Sequence, residues 1–260
     1  MADPSGAKRL ILCTYESLYS DCVLSVLEKS DLVEIVGIVA STRILKQGEF
    51  HLASKLSLLR KSGLSYALYL ASVTDPLAAR FSGKSFASLS HWSKRLNVPL
   101  LKTENINDPA FLDTIDALSP DILLSAHFNQ IFKEPALARL SKKLFNLHPG
   151  LLPRRKGLDP MFCALRDHDE RVGITLHQID EGIDTGKAIG IASFEPQSRS
   201  LRANNEQAFT LGAELFLDRV EHEFVPADPL NEGENGSSSY ESYPTPSDVV
   251  GFLKAGNRFN

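Results

Sequence analysis

The sequence predicts an α/β fold in which helices cover both faces of a doubly wound, mostly parallel, Rossmann-like sheet. Two apolar runs near the start, 10–13 and 33–40, are typical of parallel strands that are buried on both faces. The segment between them, 18–27, carries apolar residues at helical spacing. A strand, a helix and a second strand in this order form the opening unit of such a sheet.

Helical and strand patterns alternate through the rest of the main body. In chain order we expect two helices within 46–90, a helix ending at 91–96, a strand at 98–101, a helix at 111–118, strands at 121–126, 143–148, 172–179 and 188–194, and a helix at 204–224. The strand at 172–179 alternates apolar and polar residues, which predicts one solvent-facing side.

Composition divides the chain into three parts. Residues 8–225 are long enough for one domain with a full core. Residues 226–239 are rich in Asn, Gly, Glu and Ser and predict a polar linker. Residues 240–260 regain aromatic side chains, so we expect a short C-terminal tail that packs on the domain or forms a homodimer contact.

Charge and hydropathy exclude several classes of protein. The formal net charge of −4 argues against a surface dedicated to nucleic acid, although a local basic segment is present at 154–156. This basic segment is either a solvated loop or an anion-binding lip. The N-terminus lacks the pattern of a signal peptide, and no apolar run is long enough to span a membrane. We therefore expect a cytoplasmic protein without a membrane partner.

Three polar residues form the strongest candidate for a site. Asn146 and His148 lie two positions apart at the end of a predicted strand, so both side chains point to the same face. Asp184 follows in a loop between Gly182 and Gly186. An amide, an imidazole and a carboxylate are the groups that stabilise an oxyanion and move a proton during acyl transfer. No cluster with metal-ligand spacing accompanies them, so no metal is expected.

The surrounding motifs resemble the catalytic core of the 10-formyltetrahydrofolate-dependent formyltransferases. This family includes methionyl-tRNA formyltransferase, glycinamide ribonucleotide transformylase and amino-sugar N-formyltransferases. The resemblance covers about 120–190 and depends on Asn146-Leu147-His148-Pro149-Gly150-Leu151-Leu152-Pro153, Gly157, Pro160, Gly173, Thr175 and Asp180-Glu181-Gly182-Ile183-Asp184-Thr185-Gly186. It implies that 8–225 is a formyltransferase catalytic domain.

The resemblance also implies roles for individual residues. Asn146 and His148 would stabilise the oxyanion, and Asp184 would transfer the proton. The 10-formyltetrahydrofolate co-substrate would bind between the strand end after 126 and the loop after 178. The residues implied for this binding are Phe128, Gln130, Ile131, Phe132, Ile179, Asp180, Glu181, Gly182 and Asp184.

Two departures from the family pattern bear on the acceptor. Gly150 stands where most members carry Ser, so a hydrogen bond is missing. The segment 13–17 replaces the phosphate loop of the ribonucleotide enzyme, and Glu16 would repel a phosphate. We therefore expect a small-molecule amine acceptor such as an amino sugar, attached to a nucleotide in our first interpretation, rather than a nucleic acid. A methionyl-tRNA formyltransferase-like enzyme, a formyltetrahydrofolate hydrolase and an idle folate-binding module remain alternatives.

Overall fold

The structure is a computed structural model that describes residues 6–43, 51–81, 83–140, 144–196, 198–226 and 239–260. Most of the predicted linker at 226–239 lies outside the described residues. Residues 46–50 of the region with two predicted helices and residue 143 of the strand predicted at 143–148 also lie outside them. Within the described chain, no helix is long and apolar enough to cross a membrane.

Seven strands form the main sheet, and two short strands form a second sheet. The strands are β1 (Lys8–Thr14), β2 (Val33–Ser41), β3 (Leu100–Thr103), β4 (Ile122–Ala126), β5 (Leu144–His148), β6 (Arg155–Gly157), β7 (Val172–Gln178), β8 (Ala188–Phe194) and β9 (Ser239–Glu241). The main sheet has the order β3-β2-β1-β4-β5-β7-β8. Its first five strands are parallel, and β7 pairs antiparallel with both β5 and β8. The predicted mostly parallel α/β fold is confirmed.

Helices lie between the strands and cover the sheet. They are α1 (Leu18–Leu27), α2 (His51–Thr74), α3 (Pro76–Phe81), α4 (Leu89–Leu96), α5 (Pro109–Ala117), α6 (Ala136–Leu140), α7 (Pro160–Arg166), α8 (Leu201–Glu221) and α9 (Pro246–Lys254). The helical path of α2 is interrupted at Gly63, whose φ is 81°. The two segments of α2 and the short helix α3 therefore occupy the region where two helices were predicted.

Buried apolar side chains form one cluster on each face of the sheet. The larger cluster joins α1, α2, α7 and α8 to the sheet and includes Tyr66, Phe162 and Phe209. The smaller cluster lies on the opposite face with α5 and α6 and includes Phe132. Parallel strands sandwiched in this way are buried on both faces, which explains the continuous apolar runs in the sequence.

Strand β7 is buried on both faces, so the predicted solvent-facing side is wrong. Only Gln178 at its end is partly exposed. Helix α8 packs on one face of β7 through Ile174. The segment after β5 covers the other face, where the hydroxyl of Thr175 donates to the Gly150 carbonyl and accepts from the Leu152 amide. Polar residues that alternate along β7 therefore face the interior.

The C-terminal segment contacts the rest of the chain through β9, through α9 and through a parallel bridge between Arg258 and Ser200. Strand β9 pairs parallel with β6, and the Leu158 amide donates to the Glu241 carbonyl at 2.8 Å. Helix α9 packs on α2 and α7, where the Phe252 ring stacks on Phe162 at 4.5 Å between centroids. The three-part division of the chain and the homodimer contact both stay predictions.

Candidate functional site

The candidate site lies where the parallel strands of the main sheet end. Asn146 and His148 occupy alternate positions at the carboxyl end of β5, and the described residues place both on one face. Strand β7 runs antiparallel beside β5 with Asn146 opposite His177 and His148 opposite Thr175. The carboxyl edge of an open α/β sheet is the usual place for a ligand site.

Asp184 returns from the loop between β7 and β8 to contact His148. The distance between Asp184 Oδ1 and His148 Nδ1 is 3.4 Å, and both side chains are largely buried. The other carboxylate oxygen accepts from the Gly157 amide at 2.9 Å. Asp184 thereby links the catalytic candidates to β6.

The ring of His148 is oriented by its second nitrogen. Nε2 lies 2.6 Å from the carbonyl oxygen of Arg155, which can only accept, so Nε2 carries a hydrogen and donates. This assignment leaves Nδ1 to face Asp184. A carbonyl partner on one nitrogen and a carboxylate beside the other is an arrangement that orients an imidazole for proton transfer.

His177 orients the amide of Asn146. His177 Nδ1 donates to the Gln178 carbonyl at 2.7 Å, so Nε2 accepts from Asn146 Nδ2 at 3.1 Å. Burial, followed by the nearby His148, lowers the pKa of His177 to about 4, so this ring is neutral near pH 7. The Asn146 nitrogen therefore points in a defined direction and retains a second N–H.

A cavity of about 530 Å³ opens beside Asn146, His148 and Asp184. It is lined by eight of the nine residues predicted to hold the folate, namely Phe128, Gln130, Ile131, Phe132, Ile179, Asp180, Gly182 and Asp184. The ninth, Glu181, is exposed and does not line the cavity.

The side chain of Gln130 has a structural partner for each of its groups. Its amide nitrogen donates to the Ser41 hydroxyl and to the Thr103 carbonyl, and its oxygen accepts from the Ile106 amide. These bonds join the ends of β2 and β3. The Gln130 side chain thus stabilises the strand ends, and its role in folate binding stays a prediction.

The residues after β4 form an apolar wall of the cavity. The rings of Phe128 and Phe132 lie 5.6 Å apart, and both pack in the smaller cluster together with Ile179. Ile131 is 46% exposed and faces the opening. Opposite this wall, Asp180 accepts from the Gly182 amide and the Thr185 hydroxyl, which shapes the loop after β7. A flat heteroaromatic ring fits between such an apolar wall and a backbone loop.

Two of the three residues of the basic segment form ion pairs within the protein. Arg155 is 6% exposed, and its guanidinium pairs with Asp167 and Asp169. Arg154 also pairs with Asp169 at 2.8 Å. These arginines are therefore neutralised within the protein.

Sequence reasoning missed two polar residues at this site. The sequence alone did not place His177 at the site, yet its ring contacts Asn146. Asp159, which caps α7, lines the cavity and accepts from the Tyr66 hydroxyl at 2.6 Å. The antiparallel register of β5 and β7 is the signal that could have found His177, since it pairs the two residues directly.

Fold and site together define an α/β protein with an amide, an imidazole and a carboxylate at the carboxyl edge of its sheet. The chain belongs to the formyl transferase family, whose model matches residues 60–196. Among the described residues, no group of three His, Cys, Asp or Glu side chains could hold a metal ion.

Curated relatives of this chain include methionyl-tRNA formyltransferases. The protein from Syntrophus aciditrophicus (strain SB) is 32% identical over 207 residues, which covers 78% of this chain and 65% of the relative. The protein from Finegoldia magna is 26% identical, and the match covers 54% of this chain and 46% of the relative. The chain thus spans between 46% and 65% of the length of these two relatives.

Solved structures of formyltransferases share the fold. Glycinamide ribonucleotide transformylase 1 from Symbiobacterium toebii has a TM-score of 0.58 at 14% identity and covers 85% of this chain and 89% of its own. The sugar 3N-formyl transferase WlaRD has a TM-score of 0.53 at 18% identity, and the match covers 90% of this chain and 69% of WlaRD. At these identities the likeness concerns the fold alone.

Proposed function

We propose that the protein transfers the formyl group of 10-formyltetrahydrofolate to the amine of a small-molecule acceptor. The observation that carries this proposal is the contact chain from Asn146 and His177 to His148 and Asp184 beside one large cavity. Membership of the formyl transferase family supports the reaction class.

The cavity fits the folate donor on chemical grounds. Phe128 and Phe132 offer an apolar wall, and the loop that begins at Ile179 offers backbone polar groups. The donor, when bound there, supplies the formyl carbon on a tertiary nitrogen. In the transfer this carbon gains a bond to the acceptor nitrogen and loses its bond to the donor nitrogen. One proton moves from the acceptor nitrogen to the donor nitrogen, which leaves as tetrahydrofolate.

Asn146 and His148 would stabilise the negative charge that develops on the formyl oxygen. The second N–H of Asn146 Nδ2 is available as a donor because His177 holds the first. A protonated His148 would add positive charge, and the Arg155 carbonyl keeps its ring in place. One donor of this kind contributes about 2.7–4 kcal/mol to lowering a barrier, roughly a hundred- to a thousand-fold in rate.

Asp184 would hold the proton that leaves the acceptor nitrogen. Its Oδ1 lies 3.4 Å from His148 and 3.9 Å from His177, while its Oδ2 is fixed by the Gly157 amide. A carboxylate that is fixed on one oxygen and directed at the site with the other is suited to general acid–base catalysis.

A second candidate acceptor is methionyl-tRNA. It is favoured by the names of the curated relatives, which are methionyl-tRNA formyltransferases. The net charge of −4 favours the small molecule, because tRNA binding relies on cationic contacts to phosphates.

A turnover assay with purified protein and 10-formyltetrahydrofolate tests the proposal. The panel contains amino sugars, other primary amines, methionyl-tRNA and a reaction without amine, and tetrahydrofolate release and product mass are followed. Release that depends on a small amine supports the proposal. Release that depends on methionyl-tRNA supports the second candidate, and release without any amine indicates a hydrolase. Folate binding without release on any acceptor would contradict a transferase and favour the idle module.

A further inference from the structure

Every tyrosine of the chain lines the same cavity. The sequence contains six tyrosines, and the cavity wall includes Tyr15, Tyr19, Tyr66, Tyr69, Tyr240 and Tyr243. They come in pairs from α1 and the turn before it, from α2, and from the C-terminal segment. Tyr19, Tyr66 and Tyr69 are buried in the core beneath the cavity, whereas Tyr15, Tyr240 and Tyr243 are partly or largely exposed and offer amphipathic rings to a ligand.

Four of these tyrosines, including Tyr243, pack on the opposite face of the sheet from the apolar wall predicted for the folate. Tyr19, Tyr66 and Tyr69 pack in the larger cluster, whereas Phe128 and Phe132 pack in the smaller one. The cavity therefore reaches round the carboxyl edge of the sheet. We call the part of the cavity that the six tyrosines line the tyrosine lobe. The strand end that carries Asn146 and His148 lies between the two parts.

The tyrosine lobe contains a carboxylate and a neutral histidine. Asp159 accepts from the Tyr66 hydroxyl at 2.6 Å and from the Phe162 amide at the start of α7. His127 contacts Tyr15, Tyr19 and Phe209 edge-on, and its buried Nδ1 has no hydrogen-bond partner in the described structure. Both residues line the cavity.

No Lys or Arg side chain lines the cavity in the described part of the chain. The nearby Arg154 and Arg155 are paired with Asp167 and Asp169, so their charges are not directed at a ligand in the cavity. Phosphate and carboxylate groups require cationic or clustered N–H partners when they leave water. The tyrosine lobe thus suits a ligand without these groups.

We propose that the tyrosine lobe binds the formyl acceptor, and that this acceptor is a compact, ring-bearing primary amine without phosphate or carboxylate. The inference rests on the proposed formyl transfer and replaces a nucleotide-linked sugar with an unphosphorylated one as the preferred substrate class. The partly exposed rings of Tyr15, Tyr240 and Tyr243 pack on the acceptor ring, while Asp159 accepts hydrogen bonds from its hydroxyl groups. His127 Nδ1 supplies a further hydrogen-bonding position.

Replacement of Asp159 by Asn tests the role of the negative charge, because the helix cap and the hydrogen bond to Tyr66 are kept. Asparagine is an equally good N-cap, adopts the left-handed backbone found here (φ 47°), and still accepts from Tyr66. Only the negative charge is lost. Asp108→Asn is the control, because Asp108 is also a helix N-cap, with an extended backbone, and does not line the cavity.

Calorimetric titration without any folate measures acceptor binding independently of catalysis. The probes are glucosamine, glucosamine 6-phosphate, tyramine and the nucleotide-linked amino sugar. We expect the unphosphorylated amines to bind about tenfold more tightly than the phosphorylated ones. In Asp159→Asn this binding should weaken by about tenfold or more, because a charged hydrogen-bond partner is lost. Asp108→Asn should bind as the wild type does.

The outcomes distinguish this inference from the proposed function. Equal or tighter binding of the phosphorylated amines, unchanged binding in Asp159→Asn, or no binding of any probe would overturn the acceptor class. Binding that follows the expected order, without formyl transfer from 10-formyltetrahydrofolate, would overturn the proposed function and leave the tyrosine lobe intact as a binding site.

Discussion

Asp184 faces His148 across 3.4 Å, although His148 ends β5 and Asp184 lies in the loop between β7 and β8. Both are fixed from the same short strand: the Arg155 carbonyl accepts from His148, and the Gly157 amide donates to Asp184. That strand, β6, pairs with β9 of the C-terminal segment. The geometry of the catalytic candidates therefore depends on the backbone of β6.

His148→Ala should lose activity far more than stability. The variant removes the proposed positive charge beside the formyl oxygen, so we expect a fall in kcat of roughly a hundred- to a thousand-fold. Steady-state rates and the affinity for 10-formyltetrahydrofolate, measured side by side with thermal unfolding, test this expectation. A variant that binds folate and turns over normally would exclude the role, and a variant that unfolds would indicate a core histidine instead.

His177→Leu should act on the reaction through Asn146. Without the ring acceptor, the amide of Asn146 is free to rotate, and the direction of its second N–H is lost. We expect kcat to fall by about tenfold or more while KM for the folate donor is unchanged, because only the transition state gains from that direction. His177→Gln, which retains an acceptor, should recover part of the rate. If KM rises by as large a factor as kcat falls in both variants, the substitutions have damaged the cavity in general.

Gly150→Ser, which introduces the residue common in the family, should lower activity in this chain. A Cβ at this position would meet the Arg155 carbonyl oxygen and Pro160 Cβ at 2.8 Å each, and His148 Nε2 at 3.0 Å. The carbonyl that orients His148 must therefore move. Overpacking of this kind destabilises proteins by about 1–3 kcal/mol.

The measurement for Gly150→Ser is kcat together with the free energy of unfolding. Gly251→Ser on α9 is a suitable control, because no atom lies within 4 Å of a Cβ there. Full or increased activity of Gly150→Ser would show that the site accommodates the side chain and that the Arg155 contact is dispensable.

Acid should destabilise the protein through His127. Burial lowers the pKa of His127 to about 4 from an ordinary value of 6.5. As the pH falls from 6.5 to 4, the unfolded chain takes up a proton that the folded chain does not, so the free energy of unfolding decreases. The full difference amounts to roughly 3 kcal/mol for this residue alone.

Urea unfolding at several pH values between 7 and 4 measures this effect. His127→Asn removes the titrating group and tolerates the left-handed backbone (φ 51°), so its stability should fall less steeply with acid. Other groups, including His177 and the oppositely shifted Asp159, titrate in both proteins and drop out of the comparison. Parallel curves for the two proteins would contradict the assignment.

The sequence predicts the sheet and the first layer of the site because both depend on local patterns. Asn146 and His148 share a face through the period of two along a strand, and Asp184 follows from a short motif. Pairing between strands is not local, so His177 was missed although it lies opposite Asn146. The same reason explains the error at β7, whose polar positions face a loop that folds over the sheet.

Charge and aromatic clustering also depend on contacts between distant residues. The run 154–156 indicates a basic surface when viewed alone, but Asp167 and Asp169 neutralise Arg155 in the folded chain. The tyrosine lobe joins residues up to 228 positions apart, from Tyr15 to Tyr243. No local sequence pattern predicts such a site.

The most direct test follows the formyl carbon itself. Wild type and Asp184→Asn are mixed with 10-formyltetrahydrofolate labelled with carbon-13 in the formyl group, together with the preferred ring-bearing amine, and the label is followed by NMR. We expect the wild type to move the label onto the amine nitrogen, while Asp184→Asn binds the donor and leaves the label on it. Transfer by Asp184→Asn at the wild-type rate, or label released as formate without any amine, would contradict formyl transfer with Asp184 as the proton acceptor.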